Sequence, residues 1–314
     1  MTVDTVNGEA SALVRQGIEI LAKAEPESAA RALACFDRAL DLRRQLSIEA
    51  RPMLQYDLAG TWLNRADALV RIGGTESLRA ALCAYDTAIE WLRALPLAAD
   101  SRFPRRLAIA YQNRALARWS HGGGDADLAK EDFHQALVTL GGDHCDALPD
   151  RAYLTATVWV NLADVQANGP TEDGWRRAIE STNEARRLIA DAERKDASAA
   201  EVGLTARHIC CRAVARCLSS CQDVTGVVPD DLHVATDAAD EGLELARLWE
   251  GHGIQRFHDV AEDLFRFGAR AYGMFQPHFV EEFLSEQSRR SALRLEAQEA
   301  RHLHGERAVR QLRQ

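Results

Sequence analysis

Small and aromatic residues recur along this sequence at an interval of about 49 residues. Four alanines at equivalent positions follow one another at spacings of 49, 48 and 49 residues. Three of them end the pattern A-x3-F/Y-x2-A, in which the small and aromatic positions share one face of a helix. The alanines are Ala39, Ala88, Ala136 and Ala185, and the complete patterns are Ala32/Phe36/Ala39, Ala81/Tyr85/Ala88 and Ala129/Phe133/Ala136. The pattern predicts one packed helix in each period.

A second pattern keeps the same period in the segment that precedes each of these helices. It reads Asn64-Arg65-Ala66, Asn113-Arg114-Ala115 and Asn161-Leu162-Ala163, at spacings of 49 and 48 residues. Glycine-rich turns follow each copy, at Gly73-Gly74, Gly122-Gly123-Gly124 and Gly169-Pro170. Each period therefore predicts a first helix, a turn and a second helix.

Composition favours an all-α protein with an elongated arrangement. Alanine and leucine dominate, aromatic residues make up 6% of the chain, and only 8 prolines and 20 glycines interrupt the helix-forming residues. The 314 residues also exceed the length of a typical single compact domain, about 100 to 200 residues. An array of helix pairs accounts for both the length and the composition.

The two patterns resemble the tetratricopeptide repeat, whose first helix carries W-x2-L-G-x2-Y and whose second carries A-x3-F-x2-A. Here the first helix reads Trp62-x3-Ala66-x2-Leu69 and Trp159-x2-Leu162-Ala163. The family repeat is about 34 residues long. We therefore expect a long-helix variant, with about three extra residues in the turn inside each repeat and the other dozen in longer helices and linkers.

The resemblance implies an all-α, tetratricopeptide-like α-solenoid of about five helix-turn-helix repeats with a C-terminal capping region. We expect residues 1–9 to be a flexible N-terminus and residues 10–250 to form the repeat array. The first repeat would start at Ala10, with Gly17 as its small residue, and the fifth second helix would lie near Asp231 to Leu248. Residues 251–314 would hold a degraded repeat and the capping helices.

Helical spacing places a polar stripe on the first helices, which the family exposes on its concave wall. An amide can donate to and accept from a peptide backbone whatever the peptide's side chains are. Some peptide-binding members of the family use stacked asparagines in this way. The alternative is that the asparagines cap local backbone or bind water. The stripe comprises Gly60, Asn64, Asp67 and Arg71, then Ile109, Asn113, Leu116 and Ser120, then Thr157, Asn161, Asp164 and Asn168, with Arg15 before and Cys211 after. The predicted peptide- or partner-binding residues are Arg15, Asn64, Asp67, Arg71, Asn113, Asn161, Asp164 and Asn168.

A cysteine-rich segment is the main candidate for other chemistry. Cys210, Cys217 and Cys221 share one helical face, with Cys211 and His208 nearby, but the segment has no C-x2-C pair. Core packing is the favoured interpretation, because cysteine is among the most buried residue types. The sequence contains no zincin H-E-x-x-H pattern and no G-x-S-x-G elbow. We therefore predict no catalytic residues, no metal, no cofactor and no enzymatic activity.

Charge and hydropathy indicate which kinds of partner to expect and in which cellular compartment the protein would lie. The net charge of −9 argues against a general nucleic-acid binder. No apolar run reaches the length of a membrane span, and the first ten residues lack the features of a signal peptide. Only 3 of the 38 basic residues are lysines, which suggests a bacterial genome rich in G and C. We expect a cytoplasmic bacterial protein with no nucleic-acid or membrane partner. From Ser288 onward the sequence has seven arginines and three glutamates. Such a basic helical tail could dock on an acidic partner or on the acidic remainder of the chain, but a solvated capping helix is the favoured interpretation.

The function that these features favour is a scaffold or adaptor that binds a peptide or a partner protein in a concave groove. One alternative is a peptide-responsive bacterial regulator, whose output surface would have to lie after Phe275. The other is a metal- or thiol-dependent protein that uses the segment from Cys210 to Cys221.

Overall fold

A computed structural model describes residues 2–23, 25, 27–47, 51–120, 125–220 and 229–249. The described part contains ten α-helices and no strand, which confirms the all-helical prediction. The helices pack as five consecutive pairs, each formed by a first and a second helix. They are α1 (Val3–Ala22), α2 (Ser28–Arg43), α3 (Pro52–Ile72), α4 (Thr75–Arg93), α5 (Arg102–Ser120), α6 (Ala126–Gly141), α7 (Arg151–Asn168), α8 (Glu172–Ile189), α9 (Ala197–Ser220) and α10 (Pro229–Leu248).

The chain divides into two compact units, Met1–Ala192 and Glu193–Gln314. The first unit contains the helix pairs from α1/α2 to α7/α8, and the described part of the second contains α9 and α10. The predicted sixth repeat, the capping helices and the arginine-rich stretch after Ser288 lie outside the described residues.

The first helix begins at Val3, so the prediction of a flexible N-terminus over residues 1–9 is wrong for residues 3–9. Thr2 caps the helix, because its Oγ1 accepts a hydrogen bond of 3.2 Å from the backbone N–H of Thr5. Val6 is buried, and Asn7 Nδ2 donates to Asp57 Oδ2 on α3 at 3.0 Å. These contacts extend the first repeat by two turns of helix.

The turn inside the second repeat is shorter than predicted. α3 ends at Ile72 and α4 begins at Thr75, which leaves only Gly73 and Gly74 between them. Both glycines have positive φ angles, +76° and +82°, a backbone conformation that other residues rarely adopt. The three extra residues that were expected in this turn lie instead in the helices, which are 21 and 19 residues long.

Within each pair, a small residue of the first helix lets the second helix approach closely. A Cβ atom on Gly17 would lie 2.5 Å from Cε1 of Phe36, so only glycine fits beneath this ring. Phe36 and Phe133 are completely buried, and Tyr85 is nearly so. Ala66, Ala115 and Ala163 occupy the position of Gly17 in the later repeats and are also completely buried. The predicted packing role of these positions is confirmed.

The same ion pair forms at two successive junctions between repeats. Asp37 on α2 accepts from Nε of Arg65 on α3 at 2.7 Å, and Asp86 on α4 accepts from Nη1 of Arg114 on α5 at 2.6 Å. Each arginine also lies over an aromatic ring one turn earlier, with 5.6 Å from the guanidinium carbon to the ring centroid of Trp62 or Tyr111. The arginine of the Asn-Arg-Ala pattern therefore joins the end of one repeat to the start of the next.

The second unit contains a buried ion pair of its own. Arg207 on α9 donates from Nη1 and Nη2 to the two carboxylate oxygens of Glu193, at 2.8 and 2.9 Å. Nη2 also donates to Glu241 on α10, whose position agrees with the predicted fifth second helix. A Cβ atom on Gly203 would clash with the Glu193 carboxylate, so this glycine makes room for the pair.

Two glycines of α1 test the importance of the close approach. Gly17→Ala should lower the free energy of unfolding by about 1 to 3 kcal/mol, because the new methyl group overpacks the contact with Phe36. Gly8→Ala is the matched control in the same helix. No atom lies within 4 Å of its added Cβ, so the higher helix propensity of alanine should stabilise the protein by about 0.5 to 1 kcal/mol. Urea unfolding of both variants measures the difference, and effects of the same sign would contradict the packing argument.

Candidate functional site

The predicted binding residues lie on neighbouring helices of the first unit. Each first helix contacts the first helix of the next repeat, in the order α1, α3, α5 and α7. Arg15 lies on α1, three of the residues on α3, Asn113 on α5 and the last three on α7. Arg15, Arg71 and Asn168 are exposed, whereas the other five are partly buried. We call this set, together with the helix faces that carry it, the first-helix stripe.

Asp67 connects three helices within the stripe. Its Oδ1 accepts hydrogen bonds from the Tyr85 hydroxyl on α4, at 2.5 Å, and from Asn113 Nδ2 on α5, at 3.3 Å. Burial raises the pKa of the Asp67 carboxyl, whereas the bonds from Tyr85 and Asn113 and the charge of Arg71 oppose this rise. Burial and the nearby Asp67 charge also raise the pKa of Tyr85. The Asn113 amide therefore interacts with a neighbouring repeat.

Asp164 and Arg71 of the stripe also form hydrogen bonds with neighbouring first helices. Trp119 Nε1 on α5 donates to Asp164 Oδ2 on α7 at 3.3 Å, and Asn168 Nδ2 donates to Oδ1 of the same aspartate at 3.1 Å. Arg71 Nη1 on α3 donates to the backbone carbonyl of Leu21 on α1 at 3.0 Å. These bonds hold consecutive first helices at a fixed relative position.

The side chains of Asn64 and Asn161 form no hydrogen bond or ion pair with the protein in its described part, and neither does Arg15. Asn64 and Asn161 are partly buried and Arg15 is exposed, and neither amide has a completely enclosed polar atom without a partner in that part, so all three side chains keep contact with solvent. The three asparagines of the repeated pattern therefore differ in their hydrogen bonding. Asn113 is bound locally, whereas the amides of Asn64 and Asn161 keep their full hydrogen-bonding capacity.

Arg106 on α5 lies on the first-helix stripe but is not among the binding residues that the sequence predicted. It precedes Ile109 by three residues and Asn113 by seven, so the helical spacing of the stripe could have revealed it. Its Nη1 donates to the backbone carbonyl of Tyr56 at 3.0 Å, and its guanidinium carbon lies 3.6 Å from the centroid of the Tyr56 ring. A Cβ atom on Gly60 would lie 2.5 Å from Nη1, so the guanidinium crosses α3 at this glycine.

The cysteines of α9 lie in the second unit. Cys210, Cys211 and Cys217 are buried, and Cys221 lies outside the described residues. Cys211, which the helical spacing placed at the end of the stripe, is therefore a buried residue of α9. Among the described residues no group of three or more histidine, cysteine, aspartate or glutamate side chains could hold a metal ion. No helix in the same part of the chain is long and apolar enough to cross a membrane.

No protein-family model and no curated protein matches this chain. Among solved structures, it is similar to BtubC (BKLC) from P. vanneervenii, with a TM-score of 0.55 and 20% sequence identity over 85% of this chain and 92% of that one. It also matches the designed helical repeat protein DHR64, with 18% identity over 90% and 96% of the two chains and a TM-score of 0.20. Because the two sequences are only 20% identical, the match to BtubC shows a similar fold and nothing more.

Asn113 and Asn64 should differ in their effect on stability although they occupy equivalent positions. Asn113→Ala removes a donor to the partly buried Asp67 and should lower the free energy of unfolding by about 1 kcal/mol or more. Asn64→Ala is the matched control, and we expect it to change stability by less than about 0.5 kcal/mol, because this amide faces solvent. Chemical unfolding of the two variants measures both values, and an equal loss would contradict the different roles.

Asp67→Asn should change how stability depends on pH. Because the folded protein raises the pKa of Asp67, ionisation of this carboxyl disfavours the folded state. The wild-type protein should therefore lose stability relative to the asparagine variant as the pH rises above the ordinary aspartate value of about 3.9 and through the raised pKa. Unfolding of both proteins at a series of pH values gives the difference directly. A stability of the wild type relative to the variant that stays constant or increases over this pH range would contradict the sign of the shift.

Proposed function

We propose that this chain is a protein-interaction scaffold or adaptor, whose first-helix stripe binds an extended peptide or a segment of a partner protein. The observation that carries the proposal is the solvent-facing, unpaired amides of Asn64 and Asn161, at equivalent positions of α3 and α7. Each amide offers two donors and an acceptor, which suits a peptide backbone. The tetratricopeptide resemblance suggests the same use in a concave groove. We also propose a cytoplasmic, bacterial setting, which rests on the composition of the sequence, and no catalytic role.

The bonds between neighbouring helices support this proposal. They fix α1, α3, α5 and α7 relative to one another before any partner arrives. A site whose geometry exists before binding loses less conformational entropy when the ligand is bound. Two repeated amides on such a fixed row could engage two points along one extended chain.

On the second helix α8, three exposed arginines already have partners within the helix. On α8, three arginines form ion pairs with acidic residues three or four positions away on the same helix, at 2.7 to 3.0 Å. The pairs are Glu172–Arg176, Asp173–Arg177 and Glu184–Arg187. Because these charges are paired within α8, they support the first helices as the binding side.

The double variant Asn64→Ala/Asn161→Ala should weaken partner binding roughly 5- to 150-fold, since each lost hydrogen bond contributes about 0.5 to 1.5 kcal/mol. The partner would be isolated from the native organism by affinity capture with the wild-type protein, and its affinity for purified variants would then be measured by calorimetry. The melting temperature should stay close to that of the wild type.

The matched control is Gln135→Ala/Asn183→Ala, which removes two exposed amides from the second helices α6 and α8. It should leave partner binding unchanged. Equal weakening by both double variants, or unchanged binding in the first, would refute the assignment of the stripe.

A further inference from the structure

Arg106 is a preorganised cation with most of its hydrogen-bonding capacity unused. Of the five N–H groups of a guanidinium, one donates to the Tyr56 carbonyl, and the protein supplies no other acceptor in the part of the chain that the structure describes. The side chain is partly buried, but none of its remaining nitrogens is completely enclosed without a partner in the described part, so they keep contact with solvent. The ring of Tyr56 below and Gly60 beside the guanidinium hold it in one place.

The neighbouring arginines differ from Arg106 in having carboxylates of their own. Arg102 is paired with Asp100, and Arg105 donates from Nε and Nη2 to Asp150 at 2.9 and 2.6 Å. No carboxylate lies within ion-pair distance of Arg106 in the described part of the structure. Of the cations in this segment, Arg106 is therefore the one available to an external anion.

Asp57, the carboxylate whose charge acts on Arg106, is already shared with another arginine. Asp57 Oδ2 accepts from Asn7 Nδ2 at 3.0 Å and lies 3.9 Å from Nη2 of Arg43, whose side chain is only 4% exposed. Arg43 and Arg106 are close enough to repel each other, and Asp57 attracts both. The cluster therefore has two guanidinium groups and one carboxylate, a local excess of one positive charge.

Burial acts against this unbalanced charge. It lowers the pKa of the Arg106 guanidinium, and the charges of Arg105 and Arg102 act in the same direction, whereas Tyr56 and Asp57 oppose them. A bound carboxylate would offset the excess charge, and the Nε and Nη2 groups form an edge that can donate to both of its oxygens.

We infer that Arg106, beside the free amide of Asn64, is a carboxylate-binding position, and that the bound peptide carries an aspartate or glutamate where it crosses α3 and α5. Asn64 follows Gly60 by one helical turn on the same face of α3. A peptide that is hydrogen-bonded to the Asn64 amide would therefore run past the Arg106 guanidinium at Gly60. This inference rests on the proposed function and adds the charge class of the partner.

The experiment selects binders from a random dodecapeptide phage library on the full-length wild-type protein. Aspartate or glutamate should be enriched at one fixed position. A selected peptide and its analogue with glutamine at that position are then synthesised, and wild type should bind the acidic peptide roughly 10 to 100 times more tightly. Arg106→Gln should reduce this ratio to near one, and added salt should reduce it in the wild type.

Two further variants make the result specific. Gly60→Ala keeps every charge but places a Cβ where Arg106 now lies, so it should also reduce the ratio. If circular dichroism shows that Arg106→Gln is unfolded, Gly60→Ala by itself tests the inference. Arg105→Gln, which removes an adjacent arginine already paired with Asp150, should leave the ratio unchanged.

The outcomes separate the inference from the function on which it rests. Peptides that bind the wild type without an acidic preference, or a ratio that persists in Arg106→Gln and Gly60→Ala, would overturn the inference and leave the proposed function standing. A library that yields no binder would overturn both.

Discussion

The close approach of two helices within each repeat is the constraint on which the rest of the first unit depends. It requires a residue with little or no side chain on the first helix, as Gly17 shows beneath the ring of Phe36. Ala66 and Ala115 provide the same space in the next two repeats, and Ala163 keeps it in the fourth, where Thr182 replaces the aromatic residue. Because this contact recurs every 48 or 49 residues, the repeats can stack with nearly the same relation each time.

Stacking at a constant period explains why the polar contacts between first helices join residues about one period apart. Their partners are 45 to 50 positions apart in the sequence: Asn7–Asp57, Leu21–Arg71, Tyr56–Arg106, Asp67–Asn113 and Trp119–Asp164. The ion pair of Asp37 with Arg65 is repeated by Asp86 with Arg114. In the following repeat His134 and Leu162 occupy these two positions, and the buried Leu162 replaces the ion pair by apolar packing.

These contacts also determine which groups remain for a partner. Asp67 and Asp164 use their carboxylates between repeats, and Asn113 donates to one of them. Asn64 and Asn161 face solvent, and Arg106 is held by Tyr56 and Gly60 with most of its donors unused. The proposed binding surface therefore consists of the few polar groups that stacking leaves without a partner. Substitutions on the stripe should accordingly fall into two classes, those that loosen the stack and those that affect only recognition.

The sequence by itself determined the helical class, the pairing of helices in a period of 48 to 49 residues, the turns at Gly73-Gly74 and Gly169, and the helices that carry the stripe. These features are local, because helical spacing and the backbone freedom of glycine act within a few residues. Only the tertiary structure decided that helix α1 starts at Val3, that Asn113 is bound while Asn64 is free, and that Arg106 crosses Gly60. Each of these outcomes depends on side chains about 50 residues away, and therefore on the rotation and axial offset of neighbouring helices, which the pattern of a single helix does not specify.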